Sequence, residues 1–160
     1  MHGGRVRVIA CGNPLLGNDG VGIRVMQMLQ EKYPDIDAVE GGTGGLGLIP
    51  LMEGYDKVVI LDAMVGIGDR IGEVRTFRTP PPTHTSSLTL HDPGIGEVLL
   101  IAREIGMMTE VVTIGIEVGA VGDYSTDIDP ELEVSVHDAL RCVEKEIMTR
   151  NASENPDKML

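Results

Sequence analysis

Residues 6–32 read VRVIACGNPLLGNDGVGIRVMQMLQEK, and this stretch decides the fold. Its first part, residues 6–11, consists of β-branched and small apolar residues apart from Arg7, which predicts a buried strand. Apolar residues then recur at helical spacing from Val21 to Lys32 and predict a helix. A buried strand that leads through a glycine-containing loop into a helix is the opening unit of an α/β protein with a parallel sheet.

The loop inside this unit has the glycine spacing of a phosphate-binding loop, with four residues between Gly12 and Gly17. A phosphate loop would continue with Lys and then Ser or Thr. Here Asn18 and Asp19 follow instead. A carboxylate in such a cradle would repel an anion. We therefore interpret the loop as one arm of a cation site.

The rest of the chain continues the alternation of strands and helices. Strands are predicted over residues 36–40, 57–62, 73–77 and 110–118, and helices over 48–52, from Asp92-Pro93 to about residue 105, and from Asp129-Pro130 through residue 147. At both Asp-Pro pairs the Asp is expected to be the N-cap and the Pro the first helical residue. This pattern predicts an α/β sandwich around a mostly parallel sheet. Residues 1–150 are interpreted as one domain and residues 151–160 as a polar tail.

Ligands of such sheets bind beyond the carboxyl ends of the strands, where the strand order reverses. For a flavodoxin-like order this point lies between the first and third strands. Asp19 follows the first strand, Asp62 ends the third, and His91 ends a long Pro- and Thr-rich loop over residues 79–90. Two carboxylates and one imidazole suit a divalent transition metal, or they could supply acid–base groups. Taken singly, each also has a simpler role: Asp19 as a helix cap, Asp62 as a turn residue and His91 as a surface histidine.

The composition excludes several classes of partner. A net charge of −12 argues against nucleic acid and anionic membranes. The two cysteines, Cys11 and Cys142, are far apart and form no C-x-x-C pair, which favours a reducing cytoplasm. No apolar run approaches the ~20 residues that cross a bilayer. The N-terminal residues also lack the pattern of a signal peptide. We expect a cytoplasmic protein, with Cys11 as either a thiol nucleophile or a small buried residue.

Residues 42–47 match G-x-G-x-x-G between a predicted strand and a predicted helix, and Asp62 lies 20 residues after Gly42. That spacing is similar to a dinucleotide fingerprint. The motif follows the second strand, however, and the chain leaves little room for the second half of a dinucleotide fold. The alternative use of such a loop is to offer backbone N–H and C=O groups to an extended peptide.

Four blocks of the chain, in order, resemble the [NiFe]-hydrogenase maturation endopeptidases, which trim a C-terminal extension from the hydrogenase large subunit after nickel insertion. The blocks are GNPLLGNDGVG from Gly12, EGGTGG from Glu40, VILDA from Val59 and HDPGIGEVL from His91. The resemblance covers residues 6–147. It implies a three-layer α/β/α sandwich with about five strands, of the flavodoxin-like or phosphorylase/hydrolase-like type.

The resemblance also implies the site and its partner. Position by position, the catalytic and metal-binding residues of the family fall on Asp19, Asp62 and His91. Residues Glu40, Gly41, Gly42 and Thr43 would bind the substrate peptide, although family members often carry Asp where this chain has Glu40. Nickel would be supplied by the substrate, the precursor of a hydrogenase large subunit, and no organic cofactor is implied. The enzyme is expected to act as a monomer.

Overall fold

The computed structural model describes residues 4–82, 94–120 and 124–154, with side chains described as far as residue 148. The strands are β1 (Val6–Ala10), β2 (Ala38–Glu40), β3 (Lys57–Met64), β4 (Val74–Phe77) and β5 (Glu110–Glu117). The helices are α1 (Val21–Lys32), α2 (Leu48–Met52), α3 (Ile95–Glu104) and α4 (Glu133–Glu154). Short 3-10 turns over Gly17–Gly20, Gly45–Gly47 and Pro130–Leu132 lead into α1, α2 and α4.

The five strands form one sheet in the order β2-β1-β3-β5-β4. Strands β2, β1, β3 and β5 are parallel, and β4 pairs with β5 in the antiparallel direction. The chain leaves β1 toward one edge to form β2 and returns to form β3 on the other side of β1. The strand order therefore reverses between β1 and β3, as predicted from the sequence.

Both faces of the sheet are covered, which confirms the three-layer sandwich. All eight residues of β3 are buried, as expected for a central parallel strand. Alternate residues of this strand enter two different cores. Val59 and Leu61 pack with the apolar faces of α1 and α4, whereas Val58 and Ile60 pack with those of α2 and α3.

Several element boundaries differ from the sequence prediction. Helix α3 begins at Ile95 with Gly94 as its N-cap, so the prediction that Pro93 is the first helical residue was wrong. Residues 83–93, which include Asp92 and Pro93, lie outside the described residues. Strand β3 continues two residues beyond Asp62, to Met64. Helix α4 continues to Glu154, into the segment interpreted as a polar tail. Along the described ranges no helix is long and apolar enough to cross a membrane.

Candidate active site

Asp19 is held in place by a tight turn of the chain directly after β1. Gly12 has φ +127°, a conformation that favours glycine, and a Cβ there would collide with the backbone oxygen of Asp19. The Oδ2 atom of Asp19 accepts a hydrogen bond of 2.7 Å from the backbone N–H of Asn13. The side chain is therefore turned back over the loop, and the residue is only 9% exposed. No cap hydrogen bond from this carboxylate to helix α1 is formed, so the interpretation of Asp19 as a helix cap was wrong.

Asp62 lies on β3 beside the end of β1. Ala10 pairs with Leu61 in the parallel ladder, and the N–H of the next residue, Cys11, donates to the Leu61 oxygen at 2.8 Å. Asp62 is 7% exposed and lies within a strand that continues to Met64. Its interpretation as a turn residue was therefore wrong. An acid inside a buried strand is costly unless a partner compensates its charge.

The charge of Asp19 acts on the carboxyl group of Asp62. Burial raises the pKa of Asp62 well above its usual range, and the neighbouring Asp19 raises it further, while the N–H of Ala63 works in the opposite direction. Burial also raises the pKa of Asp19, against the stabilising N–H of Asn13. No cation among the described residues contributes to either shift. Two neighbouring carboxyl groups without a positive partner favour the binding of a proton or of a cation.

His91, the third predicted ligand, lies outside the described residues. Within the described ranges no group of three His, Cys, Asp or Glu side chains could hold a metal ion. The structure thus brings Asp19 and Asp62 together as predicted, and the complete three-residue site stays a prediction.

Cys11 is a small buried residue beside the acid pair. It is 1% exposed and belongs to the core that lies under α2 and α3. Burial raises the pKa of its thiol well above the usual range, and Asp62 and Asp19 raise it further. A thiol nucleophile needs the opposite, a lowered pKa in an electropositive environment. The alternative of a small buried residue fits the structure.

The glycine segment after β2 lies against the Asp19 loop. The N–H of Gly12 donates to the oxygen of Gly42 at 2.8 Å, and the N–H of Gly41 donates to Ala10 at 2.7 Å. Gly42 and Thr43 are both exposed, so this stretch of backbone is open to solvent beside the Asp19 loop. The geometry fits the peptide-binding interpretation.

A dinucleotide fingerprint does not fit the same segment. Helix α2 has only five residues, too few for the helix on whose N-terminus a pyrophosphate rests. Asp62, which would bind the ribose, is buried in β3 beside Asp19.

Glu117 is a structural residue of this edge that the sequence analysis missed. The residue is 4% exposed, and its carboxylate accepts hydrogen bonds from the N–H groups of Ile67, Gly68 and Gly119 at 2.8–2.9 Å. These bonds hold the loop after β3 against the end of β5. The only signal in the sequence is a single acid at the end of an apolar strand, which does not distinguish this role from an exposed strand end.

The fold is that of solved maturation peptidases. The hydrogenase maturating endopeptidase HybD from Escherichia coli superposes with a TM-score of 0.75 at 24% identity, covering 91% of this chain and 93% of that one. A hydrogenase 2 maturation peptidase from a Thaumarchaeota archaeon superposes with a TM-score of 0.64 at 28% identity, covering 89% and 97%. Both superpositions show that this chain has the α/β fold of those peptidases.

Sequence comparison identifies the family. The profile of HycI, hydrogenase maturation protease, matches residues 23–146. The chain is 31% identical to the hydrogenase expression/formation protein HoxM of Cupriavidus necator, over 84% of this chain and 70% of that protein. It is 29% identical to the hydrogenase 2 maturation protease of Escherichia coli, over 87% and 88%. The chain belongs to the hydrogenase maturation protease family and is a hydrolase of the peptidase class.

Proposed function

We propose that this protease removes the C-terminal extension of a nickel-loaded [NiFe]-hydrogenase large-subunit precursor, and that Asp19, Asp62 and His91 recognise the nickel of that substrate. The observation that carries the proposal is the pair of buried carboxylates at the reversal point of the sheet, with raised pKa values and no described cation beside them. A divalent ion would supply the missing positive charge.

The donor set suits a metal that arrives already bound. Two carboxylates and one imidazole leave coordination positions open, which ligands from the substrate could fill. Nickel would supply Lewis acidity, either toward the scissile carbonyl or toward the attacking water. Because both pKa values are raised in the metal-free protein, ion binding would displace a proton from the pair.

The acid pair would also transfer a proton from the attacking water to the leaving amine during hydrolysis. Water adds to the scissile carbonyl carbon and loses a proton, the C–N bond breaks, and the leaving amine gains a proton. A carboxylate oxygen that the nickel leaves free is suited to accept the first proton and to return it to the amine. Asp62, buried beside Asp19, is the carboxylate to which we assign this role.

The exposed backbone after β2 would hold the substrate. Gly41, Gly42 and Thr43 lie beside the Asp19 loop, and Gly42 is hydrogen-bonded to it through its oxygen. An extended peptide laid along this segment would pass the acid pair. Glu40 ends β2 with an exposed side chain at the same edge, where it could pair with a basic residue of the substrate.

The experiment compares nickel-loaded and nickel-free large-subunit precursor incubated with the protein, with loss of the C-terminal peptide followed by mass spectrometry. We expect cleavage of the nickel-loaded form alone. Cleavage of neither form, with nickel transferred to the protein, would replace the proposal by a nickel chaperone. Stoichiometric binding of NAD without cleavage would revive the dinucleotide alternative.

A further inference from the structure

The loop that carries Asp19 is bound to a second segment of the chain, the connection between β5 and α4. The N–H of Ser125 donates to the Leu15 oxygen at 2.8 Å, and the N–H of Gly17 donates to the Ser125 oxygen at 2.7 Å. These two bonds form an isolated parallel bridge between Leu16 and Ser125. The Asp19 loop is thus bound both to the glycine segment and to the connection before α4.

Asn18 and Asp129 make the second half of this connection. The Nδ2 atom of Asn18 donates to Oδ2 of Asp129 at 2.9 Å, and the N–H of Asp129 donates to Oδ1 of Asn18 at 2.9 Å. This two-bond pair spans 111 positions of sequence and involves the residue directly before Asp19. With both functional groups of its amide engaged, Asn18 has one orientation, and the peptide that leads into Asp19 is fixed with it.

Asp129 occupies a position where a different role is expected. It is the N-cap of the 3-10 turn that leads into α4, and Pro130 follows at the first helical position. An Asp there normally accepts a hydrogen bond from the helix N–H groups. The structure shows no such side-chain cap; the carboxylate is turned to Asn18 instead. Departures from a local rule of this kind are typical of functional sites.

We propose that Asn18 and Asp129 form a positioning pair that sets the Asp19 carboxylate for the reaction. The inference rests on the proposed function of Asp19. The pair itself is solvent-accessible, and its two hydrogen bonds go to neither the Asp19 carboxylate nor Asp62, so it acts through the backbone of the loop. Correct placement of a reacting group by such contacts affects turnover more than substrate affinity.

The geometry allows a swap that keeps both hydrogen bonds. Asn18→Asp alone places two carboxylates face to face and removes the donor. In the double variant Asn18→Asp/Asp129→Asn, the new carboxylate at position 18 accepts two hydrogen bonds. One comes from the backbone N–H of residue 129 and the other from the side-chain amide introduced at position 129. Asp129→Asn alone preserves the bond through the oxygen of its amide. Asp127→Asn, at an exposed acid of the same segment, removes the same charge as Asp129→Asn and is the control for that variant.

Cleavage of the nickel-loaded precursor by these variants tests the pair. We expect Asn18→Asp to lower kcat about tenfold or more while KM changes by less than about threefold. The double variant, Asp129→Asn and Asp127→Asn should stay within about threefold of wild type in kcat. An unchanged kcat in Asn18→Asp, or a double variant that regains its melting temperature but not its kcat, would overturn the proposal.

A second readout does not depend on activity. The Asn13 N–H donates to the Asp19 carboxylate, so its proton NMR shift reports on the position of that carboxylate. We expect this signal to move upfield in Asn18→Asp and to return in the double variant. If the wild type fails to cleave any precursor, the proposed function is lost while the Asn13 signal still decides the positioning role. A signal that does not move in Asn18→Asp contradicts it.

Discussion

Asp62 and Asp19 are carboxyl groups whose pKa values are higher in the folded chain than in the unfolded chain. The folded protein therefore binds more protons than the unfolded one as the pH rises from the unfolded pKa through the folded pKa. Their contribution to stability is present below this window and is lost as the pH rises through it. At neutral pH the metal-free site is consequently a source of instability, which an ion would relieve.

The amide of Asp62→Asn has the shape of the protonated acid and carries no charge. We expect this variant to have a higher free energy of unfolding than wild type at pH 8, and a difference near zero at pH 4, when both are measured by chemical denaturation in EDTA. The gain appears only at high pH because the wild-type acid is protonated at low pH. A variant less stable than wild type at pH 8 would show that the Asp62 charge is compensated.

The same residues decide activity. Asp19→Asn, Asp62→Asn and His91→Ala should each reduce cleavage of the nickel-loaded precursor by about 100-fold or more, because each removes a ligand or an acid–base group. Circular dichroism and melting curves check that the fold persists. Asp69→Asn is the matched control, since Asp69 is an exposed acid in the loop after β3. Full activity in any of the three variants would remove that residue from the site.

At the scale of elements, the turn after β1 is the feature on which the site depends most. Gly12→Ala introduces a Cβ against the backbone of Asp19 at a positive φ. We expect a loss of stability of roughly 1–3 kcal/mol and a larger proportional loss of activity, because the turn and the acid move together. Chemical denaturation and the cleavage assay measure the two effects.

Gly47→Ala is the control for that variant. Gly47 has φ −62° and nothing within 4 Å of an added Cβ. An alanine there should leave activity unchanged and add about 0.4–1 kcal/mol of stability by restricting the unfolded chain. Equal losses in both glycine variants would mean that the Gly12 turn has no special connection with Asp19.

The elements were largely predictable from the sequence, and the reasons are visible in particular residues. Residues 58–61 are an unbroken apolar run, which is typical of a strand buried on both faces, and they lie in the central strand β3. The apolar spacing from Val21 predicted α1 with its observed bounds. The alternation of strands and helices predicted where the strand order reverses. Because Asp19 and Asp62 follow or end the two strands at that point, their proximity was predicted as well.

What could not be predicted depends on contacts between distant segments. Helix α3 begins at Ile95 with Gly94 as its N-cap, two residues later than predicted. Asp129 was identified as an N-cap, and it is one, but its side chain bonds to Asn18 across 111 positions. Glu117 binds three N–H groups of loops whose paths no local pattern specifies.

At the scale of the whole molecule, a second charged cluster lies at the amino end of β3, whereas the acid pair lies toward its carboxyl end. Lys57 begins β3, its side chain is 4% exposed, and its Nζ donates to the backbone oxygen of Glu146 at 2.9 Å. The Glu146 carboxylate is buried and pairs with Arg78 at 2.7 Å and more loosely with Lys57 at 3.9 Å. This cluster joins the sheet to α4 and lies far from the chemistry.

Glu146→Ala separates stability from catalysis. Removing the carboxylate leaves Arg78 without this partner, while Lys57 keeps Glu110 at 3.7 Å and the backbone oxygen of residue 146. We expect a loss of about 1–3 kcal/mol in the free energy of unfolding. Below the melting temperature kcat should equal that of wild type, because both acids and their turn are untouched. A fall in kcat at a temperature where the variant is fully folded would contradict the separation of the two ends of the sheet.

The central claim is that the acid pair and His91 bind the nickel of the substrate. The most direct measurement is a crystal structure of the protein with Ni²⁺, with anomalous scattering recorded on both sides of the nickel absorption edge. We expect one nickel peak within coordinating distance of an oxygen of Asp19, an oxygen of Asp62 and a ring nitrogen of His91, and none in Asp62→Asn. A nickel peak elsewhere on the chain, or nickel bound equally by Asp62→Asn, would contradict the account.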